Sequence, residues 1–139
     1  MGRSLFIAGA IPFLILGFLH TLYTIADMVR PSKLIPRDAD LLDAMKQSSL
    51  SLTGETTMWK AWVGFNLSHG LGVMFFGWIY FYLALVNFDA LKDALPLFYL
   101  APVIAALYLG LSLKYWFRIP AIGSGVGTSC FLLGVWMTG

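Results

Sequence analysis

Four long stretches of the chain contain no Asp, Glu, Lys or Arg: residues 5–26, 61–88, 94–113 and 119–138. Each reaches or exceeds the ~20 residues that an α-helix needs to cross the hydrocarbon of a bilayer at ~1.5 Å per residue. Lipid offers the backbone no hydrogen-bond partner, so a spanning segment is either a helix or a strand of a closed barrel. The barrel is excluded because these runs lack the ~10-residue polar-in, apolar-out alternation of barrel strands. Composition agrees: 59% of residues are hydrophobic and 12% charged, against roughly 45–50% and about 25% in soluble domains. The sequence predicts an all-α, transmembrane four-helix bundle forming a single integral membrane domain over residues 1–139, without linker or repeat.

The first stretch resembles a signal peptide in having Arg3 ahead of an apolar run. It is long, however, and Ile25, Ala26, Asp27 and Met28 offer no small-x-small cleavage site, so it reads as a helix. Orientation follows from the basic residues. Arg30, Lys33, Arg37, Lys46 and Lys60 lie between the first two spans, and Lys114 and Arg118 between the last two, whereas Arg3 and Lys92 alone flank the opposite side. The positive-inside rule then puts loops 27–60 and 114–118 in the cytoplasm and both termini outside. A net charge of +2 is too small and too dispersed for a nucleic-acid surface, and Cys130 has no second cysteine for a disulfide within the chain.

The first loop is longer than a bundle connection needs. Within residues 38–47, Asp38 is placed to cap a helix whose Leu41, Leu42 and Met45 share one face, which predicts a surface helix. In the fourth span Gly123 and Gly127 form a G-x-x-x-G pair. Such pairs bring helix backbones close in lipid, either inside one chain or at a homodimer face.

Polar side chains gather at one depth. His20 lies about 10 Å, and His69 about 13 Å, below the basic side on antiparallel helices. Tyr23 and Thr24 follow His20 by one turn, Trp62, Asn66 and His69 share a face, and Ser124 on the fourth span falls in the same leaflet. Ionisable groups in lipid mark functional sites by default. The cluster of His20, Tyr23, Thr24, Trp62, Asn66, His69 and Ser124 therefore reads as a pocket for a lipid-like or other hydrophobic small molecule, with membrane lipids as the surrounding partner. A histidine would move a proton or hold a headgroup, Asn66 would orient the ligand, and Trp62 and Tyr23 would form walls.

Two alternatives stand beside this reading. The same groups serve as helix-packing glue in a structural or partner-binding subunit, at about 0.6 kcal/mol per contact. Alternatively, His20 and His69 are the axial ligands of a single b-type haem. Zinc and copper have less support, since neither H-x-x-x-H nor C-x-x-C occurs. No cofactor is required by the sequence, and the spacing yields no nucleophile, base and orienter, so enzyme activity is left open.

The run W-K-A-W-V-G-F-N-L-S-H-G-L-G at residues 59–72, with G-F-L-H-T at 17–21, resembles a family of small bacterial four-helix integral membrane proteins without an assigned activity. The resemblance implies a bacterial inner membrane and carries over no catalytic residue.

Overall fold

The structure, a computed structural model, describes residues 1–138; Gly139, the end of the expected domain, lies outside the described residues. The elements run α1 (Gly2–Val29), α2 (Ala39–Gln47), β1 (Ser49–Leu50), β2 (Thr53–Thr57), α3 (Met58–Val86), α4 (Phe88–Asp93), α5 (Leu95–Tyr115) and α6 (Arg118–Trp136). Helices α1, α3, α5 and α6 are long and apolar enough to cross a membrane, so the fold is all-α with a four-helix membrane bundle.

The helices overrun the charge-free stretches at several ends because a charge at the membrane surface does not stop a helix. Arg3 and Asp27 both lie inside α1, and Lys60 lies in the first turn of α3. The second span ends earlier than residue 88. Asn87 turns its side-chain oxygen back to the Ala90 N–H at 3.1 Å, which caps α4 and stops α3 at Val86. In the first loop, Asp38 caps α2 by accepting from the Asp40 N–H at 2.9 Å. None of the α2 residues is buried, so it is a surface helix as its pattern predicts. An antiparallel hairpin of β1 and β2 follows, paired at Ser49 with Thr57 and at Leu50 with Thr53. So short a ladder leaves almost no period-2 pattern to read.

The described chain divides into two compact units, one of Met1–Leu16 with the chain from Val73 on, the other of Gly17–Gly72. Helices α1 and α3 contribute to both.

The first unit is built on aromatic rings. Phe6 stacks on Phe98 with centroids 4.9 Å apart and meets Phe131 edge-on at 5.3 Å, while Phe13 meets Phe76 edge-on at 4.9 Å. Phe6, Phe13 and Phe131 are fully buried, and Tyr80 donates its hydroxyl to the Leu97 carbonyl at 2.9 Å. Glycine admits these rings. A methyl group at Gly127 would lie 2.5 Å from Phe13 Cε2 and 2.9 Å from the Gly9 carbonyl, and one at Gly123 would lie 2.7 Å from Leu16 Cδ1. Gly123 and Gly127 thus pack against α1 of their own chain, the first of the two uses their spacing allowed.

The second unit holds the other halves of α1 and α3, joined by the long loop with α2 and the hairpin. Its buried residues are mainly polar: Thr21, Thr24, Asp27 and Asn66.

Candidate functional site

Within the second unit, His20 on α1 and His69 on α3 meet edge to face with ring centroids 5.3 Å apart. Phe65, one turn before His69, lies parallel to its imidazole at 6.0 Å. The fully buried Asn66 of α3 lies one turn before Gly70 and beside His20. The residues after the histidines explain how the rings come so close. A methyl group at Gly70 would meet the Thr21 hydroxyl and lie 3.1 Å from the Thr21 backbone nitrogen and 3.2 Å from His20 Cδ2. Only hydrogen at that position lets α3 approach α1 so closely.

Several other polar groups turn back on their own helices. Thr24 donates to the His20 carbonyl at 2.8 Å, Asn66 Nδ2 to the Trp62 carbonyl at 2.8 Å, and Ser68 to the Phe65 carbonyl at 3.0 Å. In the first unit Ser124 donates to the Pro120 carbonyl and Thr128 to the Ser124 carbonyl, each at 2.7 Å. A hydroxyl buried in an apolar helix satisfies itself on the carbonyl one turn back when no partner faces it.

Of the residues singled out by sequence, the second unit therefore brings His20, Asn66 and His69 together, with Thr24 one turn along α1. Tyr23 points outward and is 42% exposed, and Trp62 is 39% exposed, yet its indole is engaged. Ser124 belongs to the first unit.

The indole leads to Asp27, a residue that the sequence does not single out as part of a site. Asp27, 2% exposed in the last turn of α1, accepts from the backbone N–H groups of Ser32 at 2.7 Å, Lys33 at 2.9 Å and Leu34 at 2.5 Å. The Leu34 carbonyl in turn accepts the Trp62 indole N–H at 2.7 Å. The only prior signal was a carboxylate at the end of a span followed closely by Pro31 and Ser32, a turn-forming pair.

Haem does not fit between the histidines in this arrangement. Axial ligation from α1 and α3 requires the macrocycle to lie between those helices, and the contact of Gly70 with Thr21 closes that space one residue from both rings. Among the described residues, no group of three or more His, Cys, Asp and Glu side chains is placed to hold a metal ion. What the site offers chemically is two imidazoles with donor and acceptor nitrogens, beside a carboxamide, in the spanning part of a helix pair.

No protein-family model, curated protein or solved structure matches the chain.

Proposed function

We propose that the chain binds a lipid-like or other hydrophobic small molecule, whose polar end hydrogen-bonds to the His20 and His69 imidazoles while its apolar part stays in the membrane. The observation that carries the reading is the pairing of two imidazoles 5.3 Å apart on membrane-spanning helices. The glue reading draws less support. Interhelical bonds would hold a bundle together, but Thr24, Ser68, Ser124 and Thr128 each donate to their own helix. The proposed setting is a bacterial inner membrane, as in the small four-helix family that the chain resembles, with both termini outside and loops 27–60 and 114–118 in the cytoplasm. Arg30, Lys33 and Lys60 then suit an anionic or polar headgroup.

The rival is a structural or partner-binding subunit, favoured by the close contact of Gly70 with Thr21, which joins the helices whether or not a ligand is present. Asn66→Leu and His69→Leu separate the two. Glue predicts that each substitution lowers stability by about 0.5 to 2 kcal/mol, whereas a binding site predicts little loss of stability and loss of the bound molecule. Thermal unfolding in detergent, with native mass spectrometry for a co-purifying small molecule, reads both. Destabilisation by both variants, with no bound molecule in the wild type, would give the case to the structural subunit. A reporter fused within residues 48–54 tests the orientation, with a cytoplasmic signal expected.

A further inference from the structure

Asp27 follows His20 by seven residues on α1, and Trp62 precedes His69 by seven on α3. Seven residues are close to two helical turns, so each shares a face with its histidine about 10 Å away. The same two helix faces are thus bridged twice. One bridge is the imidazole pair. The other runs from the Asp27 carboxylate, through three consecutive backbone N–H groups, to the Leu34 carbonyl and the Trp62 indole.

The second bridge has the features of a rigid bracket. Hydrogen bonds to a carboxylate are roughly twice as strong as neutral ones, and three N–H groups converging on one carboxylate fix the turn at residues 32–34 relative to α1. Residues 32–34 form no regular secondary structure. Their amides therefore depend on Asp27 for partners that a helix or sheet would otherwise supply. The indole bond then ties the turn to the first half of α3. Between the two bridges, Thr24 and Asn66 donate to carbonyls of their own helices.

We propose that Asp27 is a positioning residue for the imidazole pair, its carboxylate setting, through the turn at residues 32–34 and the Trp62 indole, the spacing and rotation at which α1 and α3 present His20 and His69. The inference rests on the proposed function only in treating the imidazoles as the working end, and it is measurable without a ligand.

The test is nitrogen NMR of the full chain in lipid nanodiscs, with labelled histidine side chains and backbone amides, comparing wild type with D27N, D27E, W62F and the D27N/W62F double variant. D27N and W62F are each expected to move both imidazole signals, and the double variant to move them no further than the larger single change, because both break one bracket. D27E, which keeps the charge, should restore part of the wild-type pattern. Exchange of the Leu34 amide should quicken about fivefold or more in D27N, the loss of roughly one hydrogen bond. Imidazole signals at wild-type positions in both single variants, while the amides of Ser32, Lys33 and Leu34 shift, would overturn the proposal, as would additive shifts in the double variant. Should D27N fail to fold, W62F decides alone, since it removes one N–H and keeps an aromatic ring. Absence of a co-purifying molecule would defeat the binding function and leave this result standing.

Discussion

The two compact units use the same two helices in opposite ways. In the first, α1 and α3 contribute Phe6, Phe13, Phe76 and Tyr80 to a ring cluster completed by Phe98 and Phe131, where glycines leave no room for even a methyl group. In the second, the continuations of α1 and α3 bury Thr21, Thr24, Asp27 and Asn66 and are joined by hydrogen bonds and an imidazole contact. Lipid is as apolar as a leucine side chain, so burial from water does not bring spanning helices together. The first unit relies on close packing of rings and glycines, whereas the second adds hydrogen bonds around Asp27 to the close approach at Gly70. Packing tolerates no change of volume, whereas a polar network tolerates no change of partner.

The contrast breaks most visibly at Phe131. This fully buried ring touches Phe6, Phe13, Phe76 and Tyr80, and Phe131→Ala should cost about 3 to 4 kcal/mol, mostly as a cavity that surrounding rings fill incompletely. Reversible unfolding in detergent measures it, and a loss below about 1 kcal/mol would show that the ring cluster does not carry the first unit. Gly127→Val reverses the sign of the volume change. Its added carbons meet Phe13 and the Gly9 carbonyl, backbone that cannot rotate away, for an expected loss of about 2 to 3 kcal/mol. In the second unit, Asp27→Asn keeps the volume and removes the charge, so it should cost about 1 to 2 kcal/mol while leaving the aromatic near-ultraviolet signal of the ring cluster intact. Thr24→Val sharpens the contrast from below. Its hydroxyl serves a carbonyl of its own helix at 2.8 Å, and the change should stay under about 0.5 kcal/mol in the same unfolding assay.

Much of this division can be read from residue types and spacing, and some of it cannot. The four spans follow from the charge-free stretches because the hydrocarbon excludes charge over a fixed thickness. Helix α2 was legible for a different reason, since Asp38 and the spacing of Leu41, Leu42 and Met45 encode its start and its face locally. Counting from the charged ends put His20 and His69 at similar depth, and their rings lie together. The direction in which a hydroxyl or carboxamide points is not encoded this way. Thr24 and Asn66 have a carbonyl of their own helix within reach at every register, and the choice between it and a neighbouring helix depends on tertiary approach. The role of Asp27 was illegible for a related reason: its partners are backbone amides, which every residue but proline carries and which leave no mark in a sequence.

The seam of Gly9 and Phe13 against Gly127 and Phe131 also has a consequence in time. Helix α1 packs on α6, which is made about a hundred residues later. At ~5–20 residues per second, α6 emerges on the order of ten seconds after α1, and meanwhile the α1 face that will meet Gly127 and Phe131 is open to lipid or to an insertion factor. Until then α1 has its contacts with α3 and α5, among them Phe13 on Phe76 and Phe6 on Phe98, to hold it. A chain stalled or truncated before residue 123 would lack the partner glycines and should be cleared by membrane quality control, even though most of its spans had already been inserted.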